Sequence, residues 1–226
     1  SELYGDSGNI NETQNENTIF KPNSPYAVSK LFSFEMARVY RGSYGIFVCN
    51  GILFNHESPL RGLEFVTRKI TNGVAKIKLG LSKELKIGNL EAKSDWGYAP
   101  EYVECMWKIL QYEKPEDFVI ATNETHSVKE FVELAFQLVG LDWKLYLKVD
   151  PQFYRPYEVP RLKGDYSKAK KELLWEPKTK FKELVKIMVE ADLKRWQRHI
   201  DGEIFEWDAP NHSENVEYLY RPRKKY

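Results

Sequence analysis

The chain has 226 residues, of which 42% are apolar, and its formal net charge is +1. This length is enough for one good hydrophobic core or two small ones, and the balanced charge argues against a nucleic-acid-binding domain, which usually carries a basic excess on one face. The longest apolar runs are only a few residues, too short to span a bilayer, and no signal peptide opens the sequence.

The first forty residues are predicted to form a loop followed by a helix. Residues 6–23 are rich in Asn, Glu, Thr and Gly, a composition typical of loops. Ser24 and Pro25 favour the N-cap and the first position of a helix, which we expect to extend from Tyr26 to about Tyr40.

Short buried strands and amphipathic helices are predicted to alternate through the rest of the chain. The apolar runs Ile46–Leu53 and Asp117–Ala121 favour strands, and Glu64–Leu81 has apolar residues at helical spacing. Ser127 and Glu130 form a capping box that begins another helix. The last helix is marked by apolar residues on one face, namely Phe181, Leu184, Val185, Met188, Leu193 and Trp196. This alternation predicts an α/β layered fold.

The two cysteines and the C-terminal residues indicate the cellular environment and a tail. Cys49 and Cys105 are far apart and lack metal-ligand spacing, so we predict buried thiols in a reducing compartment and no metal site. Residues 201–226 are polar and aromatic without a clear period and are interpreted as a tail. Together these features predict a cytoplasmic globular protein.

Tyr26 and Lys30 are one helical turn apart, so a phenol and an ammonium group would share a face. A free tyrosine has a pKa of about 10, which a lysine and an oxidised nicotinamide would both lower. The phenolate could then take a proton from a substrate hydroxyl while the cofactor takes a hydride. The same spacing occurs at Tyr166–Lys170 and Tyr220–Lys224, so spacing alone identifies no site. The helix-start dipeptide and the upstream Glu2 distinguish Tyr26.

Several sequence blocks, in order, resemble one enzyme family. SELYG at residues 1–5 and KPNSPYAVSK at residues 21–30 resemble the extended short-chain dehydrogenases/reductases that act on nucleotide sugars. Within that group, CNGILFNHESP at Cys49–Pro59 resembles the GDP-mannose 4,6-dehydratases. The later blocks that share this resemblance are FVTRKIT, DWGYA, PEDFVIAT and DPQFYRPYEVPRLKGDYSK. The resemblance extends from residue 1 to about His199.

The resemblance implies a fold and a division into domains. We expect a partial doubly wound, Rossmann-type parallel sheet plus a smaller C-terminal α/β substrate-binding part. Residues 1–60 would be the C-terminal portion of the NADP-binding domain, residues 61–200 mainly the nucleotide-sugar-binding part with some elements returning to the sheet, and residues 201–226 the tail. The sequence contains no Gly-x-Gly-x-x-Gly loop, and no catalytic threonine precedes Ser1, so we expect a truncated chain that is inactive alone.

The resemblance also implies an activity and its residues. The family dehydrates GDP-mannose to GDP-4-keto-6-deoxymannose with NADP, in the route to GDP-fucose. Glu2 would be the acid/base at sugar carbon 5, Tyr26 the base at the carbon-4 hydroxyl, and Lys30 the group that lowers the Tyr26 pKa and holds the nicotinamide ribose. His56 and Arg61 match NADP contacts. The positions that match GDP-mannose contacts are Asn55, Val66, Lys69, Arg155 and Glu158. A homo-oligomer, dimer or tetramer, without membrane or nucleic-acid partners, is expected.

Departures from the family keep alternatives open. Ser94 stands where the family usually has an arginine that holds phosphates, with Lys93 beside it, and Tyr98 replaces a histidine. A related nucleotide-sugar epimerase or reductase is one alternative, although Glu2 argues against it because epimerisation at carbon 4 needs no carbon-5 base. A non-catalytic nucleotide-sugar-binding module is another, favoured by the missing glycine loop. A third is an interaction subunit that uses the aromatic tail.

Overall fold

A computed structural model of the protein describes residues 1–5, 13–154 and 162–203. The described residues form two compact units, each assembled from three stretches of sequence. The first unit draws on Ser1–His56, Lys93–His126 and Tyr157–Lys180, and the second on Glu57–Ala92, Ser127–Pro156 and Phe181–Tyr226. In these described ranges, no helix has a stretch that is both long and apolar enough to cross a membrane. The division at residues 60 and 200 stays a prediction.

The helices and strands follow in chain order. The helices are α1 (Pro25–Tyr44), α2 (Val66–Lys78), α3 (Ala99–Gln111), α4 (Val128–Leu138), α5 (Ser167–Leu173) and α6 (Phe181–Ile200). The strands are β1 (Gly51–Leu53), β2 (Asn55–Glu57), β3 (Leu85–Ile87), β4 (Lys93–Ser94), β5 (Trp96–Tyr98), β6 (Phe118–Ile120), β7 (His126–Ser127) and β8 (Leu147–Val149). Single 3-10 turns are formed by Glu2–Tyr4, Trp143–Leu145 and Pro151–Phe153.

The first unit is built on both faces of the parallel pair β1–β6, in which Ile52 lies opposite Val119. Because side chains alternate along a strand, each face contributes to a different core. One core combines α3 and α5 with the strands; its buried members are Tyr102, Cys105, Ile109, Phe118, Ile120, Ala169, Leu173 and Trp175. The other face packs against the chain start and α1; its buried members are Leu3, Tyr4, Ile52, Phe54, Val119, Ala121 and Leu162. Helices on two faces of parallel strands are typical of a doubly wound fold.

The second unit packs α2, α4 and α6 against one another, with β3 and β8 as a parallel pair. Apolar residues at helical spacing on α2 are buried, including Ile70, Val74 and Ile77. The capping box of Ser127 and Glu130 begins α4 as predicted. The amphipathic face predicted for the last helix is also largely buried: Leu184, Val185, Met188 and Trp196 lie in the core.

Some sequence-based expectations differ from the structure. The strand predicted over Ile46–Leu53 is formed only by Gly51–Leu53, because the pairing with β6 begins at Gly51. Ile46 and Phe47 are therefore exposed rather than buried. Cys105 is fully buried, and burial raises its pKa to about 12, whereas Cys49 is only partly buried. Helices α3 and α5 are not among the predicted elements.

Candidate active site

The turn that carries Glu2 is held beside the start of α1 by a close backbone approach. The Lys21 amide donates to the Leu3 carbonyl oxygen over 3.0 Å. Gly5 has a φ of +51°, and a Cβ atom there would lie 1.7 Å from the Lys21 carbonyl oxygen. Only glycine fits this position, because a side chain would both strain the backbone and collide with it. Residues 1–5 are thus fixed next to the segment that leads into the helix.

Ser24 connects this turn to α1. Its hydroxyl oxygen accepts a hydrogen bond of 3.0 Å from the Ala27 amide and so caps the helix, as the sequence predicted. The same hydroxyl donates to a carboxylate oxygen of Glu2 at 3.5 Å. Pro25 occupies the first helical position, and the helix continues to Tyr44, beyond the predicted end. A predicted acid/base carboxylate therefore lies at the helix terminus from which Tyr26 and Lys30 project.

Tyr26 and Lys30 lie together on the first turns of α1, as their spacing predicts. The Lys30 ammonium nitrogen is 5.5 Å from the centroid of the Tyr26 ring, and Tyr26 is 58% exposed. This separation suits an electrostatic effect of the ammonium on the phenol. The accessible ring leaves room for a substrate hydroxyl to approach.

The second Tyr-x-x-x-Lys pattern has a structural explanation. The Tyr166 ring packs edge-on against Trp175, with centroids 6.0 Å apart. Lys170 instead forms a 2.6 Å ion pair with Glu176. The third pattern, at residues 220–224, lies outside the described residues. Of the two patterns that the structure describes, only the one on α1 presents an exposed phenol.

His56 and Asn55 follow β1 in the first unit. His56 Nδ1 lies 2.9 Å from the Phe54 carbonyl oxygen, which can only accept, so Nδ1 carries the proton. The imidazole is stacked on the buried ring of Tyr102 at a centroid distance of 5.0 Å. The Asn55 side-chain amide donates to the Ser94 hydroxyl at 3.4 Å. Strand geometry and these contacts fix both side chains in defined orientations.

Arg61, in the second unit, is held by a carboxylate and an aromatic ring. Its Nε lies 3.2 Å from a carboxylate oxygen of Glu57, and its guanidinium carbon is 3.5 Å from the centroid of the Phe65 ring. Glu57 is buried and also accepts a 2.5 Å hydrogen bond from Thr67. Burial raises the pKa of Glu57, while Arg61 and Thr67 oppose that effect. The Arg61 side chain as a whole is 25% exposed, so it is held by these contacts and remains partly accessible.

Lys69 and Val66 lie in the first turn of α2. Val66 is the first helical residue, and the Lys69 ammonium nitrogen lies 3.3 Å from the centroid of the Phe153 ring. Gly88 permits this contact, because a Cβ atom there would lie 2.7 Å from the Phe153 carbonyl oxygen. Partial burial lowers the Lys69 pKa to about 8, and the Asp150 carboxylate opposes this shift. A cation near a helix N-terminus is suited to binding phosphate groups.

Two predicted substrate contacts, Arg155 and Glu158, lie outside the described residues. The structure places Glu2, Tyr26, Lys30 and His56 in the first unit, and Arg61 and Lys69 in the second. Sequence reasoning missed the hydroxyl link through Ser24 and the aromatic supports of the two cations. The N-cap signal at Ser24 could have suggested the link, whereas nothing local marks Phe153 as a partner of Lys69.

Each unit, taken separately, contains polar groups of the kinds that bind dinucleotide cofactors. In the first unit, Tyr26 and Lys30 offer hydroxyl and ammonium donors, and His56 has its protonated nitrogen committed to the backbone. In the second unit, the partly exposed Arg61 side chain carries a guanidinium group, which is a group that binds phosphate. The sequence contains no glycine-rich Gly-x-Gly-x-x-Gly loop to receive the pyrophosphate.

Comparisons with known proteins give consistent results. A family model described as GDP-mannose 4,6 dehydratase matches residues 1–188. The chain is 52% identical over 198 residues to GDP-mannose 4,6 dehydratase 1 of Arabidopsis thaliana, covering 88% of this chain and 54% of that protein. It is 49% identical over 211 residues to GDP-mannose 4,6 dehydratase of Homo sapiens, covering 86% and 56%. The chain thus spans about half the length of these curated relatives.

Solved structures share the fold. RMD from Pseudomonas aeruginosa complexed with NADPH superposes with a TM-score of 0.76 at 21% identity, over 86% of this chain and 64% of that one. dTDP-glucose 4,6-dehydratase from Bacillus anthracis in complex with NAD gives a TM-score of 0.75 at 25% identity, over 87% and 60%. This likeness confirms the predicted partial doubly wound, Rossmann-type α/β fold.

Proposed function

The chain belongs to the GDP-mannose 4,6 dehydratase family, and on this premise we propose that it carries the acid/base groups and the substrate contacts of an NADP-dependent dehydration of GDP-mannose. The product would be GDP-4-keto-6-deoxymannose. The observation that carries the proposal is the link from Glu2 through Ser24 to the helix of Tyr26 and Lys30. It brings a carboxylate next to a Tyr–Lys pair, and dehydration needs both.

Each group has a role that follows from its chemistry. The Tyr26 phenolate, stabilised by the Lys30 ammonium, takes the proton of the carbon-4 hydroxyl. When bound, NADP would supply the hydride acceptor for carbon 4 and the hydride that carbon 6 receives after the loss of water, with a proton added at carbon 5. The Glu2 carboxylate removes the proton at carbon 5, which the carbon-4 ketone has made acidic, and delivers a proton to the departing carbon-6 hydroxyl. Water is thereby lost across carbons 5 and 6.

The substrate contacts are proposed from the sequence positions that match those of the family. In the second unit, Lys69 at the start of α2 would neutralise the diphosphate, with Val66 beside it. In the first unit, Asn55 would hold the sugar nucleotide through its side-chain amide. Arg155 and Glu158 complete the proposed set on sequence grounds. His56 and Arg61 are proposed to contact NADP, and homo-oligomer formation remains a prediction.

The position of Glu2 favours a dehydratase over an epimerase or reductase. Epimerisation at carbon 4 requires no base at carbon 5, so a carboxylate adjoining the Tyr–Lys helix would have no task in it. A non-catalytic nucleotide-sugar-binding module would hold the same substrate without using the acid/base groups. The dehydratase requires the acid/base groups, whereas the binding module does not, so their removal distinguishes the two functions.

The test joins the 226 residues to the part of the Arabidopsis thaliana relative that precedes its matching segment. We expect the fusion to convert GDP-mannose with NADP, and the 226-residue chain alone to convert none, since the cofactor pyrophosphate would lack its glycine loop. Glu2→Gln in the fusion should remove dehydration while GDP-mannose binding persists. A fusion that binds GDP-mannose but never dehydrates it would favour the binding module.

A further inference from the structure

Arg68 and Asp192 form a buried ion pair between α2 and α6, within the second unit. Arg68 Nε lies 2.9 and 3.0 Å from the two carboxylate oxygens of Asp192. The side chains are 2% and 0% exposed. Thr71 donates to the same carboxylate over 2.6 Å, and Arg195 donates to it as well. Such a buried pair is tolerated only when its remaining donors and acceptors are satisfied.

The Arg68 guanidinium group also contacts the turn that precedes α2. Its Nη1 donates to the carbonyl oxygens of Pro59 and Arg61 at 2.7 and 2.9 Å. Arg195 Nη2 donates to the Pro59 carbonyl at 3.0 Å. Two guanidinium groups, both bound to Asp192, therefore fix the backbone of this turn. We call residues 58–61 the Pro59 turn.

Hydrogen bonds within the Pro59 turn also support it. The Arg61 amide donates to the Ser58 carbonyl at 3.0 Å, and the Leu60 amide donates to the Ser58 hydroxyl at 3.1 Å. Leu60 is 69% exposed, so hydrophobic burial contributes little to holding the turn. The carbonyl contacts from Arg68 add to these bonds in holding the backbone of Arg61. Its side chain is then directed by Glu57 and Phe65.

We propose that Arg68 and Asp192 are positioning residues, which hold the Pro59 turn so that the Arg61 guanidinium is presented to the cofactor. The inference rests on the proposed function, in which Arg61 contacts NADP. Packing alone would not require this pair, since apolar side chains of similar volume stabilise a helix interface as well or better. They would take the Arg68 donor away from the carbonyls of Pro59 and Arg61, leaving the Arg195 contact to Pro59.

Two variants separate a positioning role from a stabilising one. Arg68→Lys keeps the charge but cannot reach both the carboxylate and the carbonyls. The double variant Arg68→Met with Asp192→Leu removes both charges and preserves the apolar packing of α2 against α6. Glu183→Gln with Lys186→Gln removes an exposed ion pair on the same helix and serves as the control.

The first measurement is hydrogen exchange on the purified chain. Amides of Leu60 and Arg61 should exchange on the order of tenfold faster in both Arg68 variants, the factor for losing about one net hydrogen bond. The Val74 amide, in the buried middle of α2, should keep its rate, as should all three amides in the control. Unchanged exchange rates of the Leu60 and Arg61 amides in the Arg68 variants would overturn the inference. So does equal acceleration at Val74, because the pair would then support the whole unit.

The second measurement is NADP affinity in the fusion protein, by calorimetry. If Arg68 acts through Arg61, the losses caused by Arg61→Ala and by the Arg68 and Asp192 double variant should not add. Additive losses overturn the positioning role. A third outcome separates the two proposals: NADP affinity is unchanged in Arg61→Ala, while the amides of Leu60 and Arg61 exchange faster in the Arg68 variants. In that case Arg61 does not contact the cofactor, but Arg68 does hold the Pro59 turn.

Discussion

The hydroxyl of Ser24 lies 3.5 Å from a carboxylate oxygen of Glu2, although the two residues are 22 positions apart in the sequence. The same hydroxyl oxygen accepts from the Ala27 amide and caps α1. One small side chain therefore caps the N-terminus of the helix that carries Tyr26. It also contacts the Glu2 carboxylate, which is proposed to act together with Tyr26. Glu2, Ser24 and the start of α1 therefore form one connected arrangement.

Ser24→Ala is expected to affect both stability and turnover. Loss of the cap should lower the free energy of unfolding by about 1 kcal/mol, the usual effect at an N-cap. Loss of the hydroxyl next to Glu2 should lower kcat in the fusion protein. Chemical denaturation and steady-state kinetics measure the two effects.

Ser24→Asp is the matched control for this prediction. Aspartate caps helices as well as serine does, so stability should be retained. Its carboxylate would lie beside Glu2 and repel it, so the kcat should still fall. Wild-type turnover in Ser24→Asp would show that the contact with Glu2 has no catalytic role.

Tyr26→Phe should abolish dehydration in the fusion while leaving GDP-mannose binding largely intact. The phenol acts mainly in the transition state, so the loss should be in kcat, by about 100-fold or more. Tyr166→Phe is the control, since Tyr166 has the same spacing to a lysine but is packed against Trp175. The assignment of Tyr26 as base would fail if its variant turned over within a few-fold of the parent.

Local signals predicted the elements that bear the candidate site. The start of α1 at Ser24 and Pro25, and the capping box of Ser127 and Glu130, depend on residues at most three positions apart. Motif resemblance supplied the site residues, because order and spacing of blocks persist in a family. Both kinds of signal are contained in short stretches of sequence.

Distant pairings could not be predicted in this way. Arg68 and Asp192 are 124 positions apart, and no periodicity marks either as a buried charge. Ile46 and Phe47 belong to an apolar run that favours a strand, yet both are exposed, since the pairing with β6 begins only at Gly51. The neighbour along the sheet decides the extent of a strand, and the run itself holds no information about that neighbour.

Asp95 should give the protein a distinctive dependence of stability on pH. Burial raises the Asp95 pKa from 3.8 to about 6, although hydrogen bonds from Thr122, Asn123 and Gly164 favour the charged form. The folded state thus binds this proton more tightly than the unfolded chain does. The stabilising contribution is full below pH 3.8 and is lost as the pH rises through about 6.

Asp95→Asn removes the titrating group and tests this dependence. An amide in place of one carboxylate oxygen would face the Asn123 and Gly164 amides with a donor, so stability should fall by about 1–3 kcal/mol at neutral pH. The decline in stability between about pH 4 and about pH 6 that is due to Asp95 should also disappear. Denaturant unfolding of both proteins at several pH values measures this. An identical slope in the two proteins would assign the pH dependence to other groups.

Lys69 should make GDP-mannose binding depend on pH just above neutrality. Partial burial lowers its pKa to about 8 in the free protein. A diphosphate binds the ammonium form, so binding raises the pKa of Lys69 and takes up a proton once the pH exceeds about 8. Affinity should be nearly constant below that pH and should fall above it, by up to about tenfold for each pH unit.

Lys69→Gln should weaken binding by about 1.5–3 kcal/mol at pH 7 and remove the decline. Phe153→Leu keeps the ammonium group but removes the ring that lies 3.3 Å from it, so it should weaken binding less and preserve the decline. Calorimetric titrations of the three proteins from pH 6.5 to about pH 9.5 compare these outcomes. If Lys69→Gln binds as the parent does at every pH, the diphosphate is bound elsewhere.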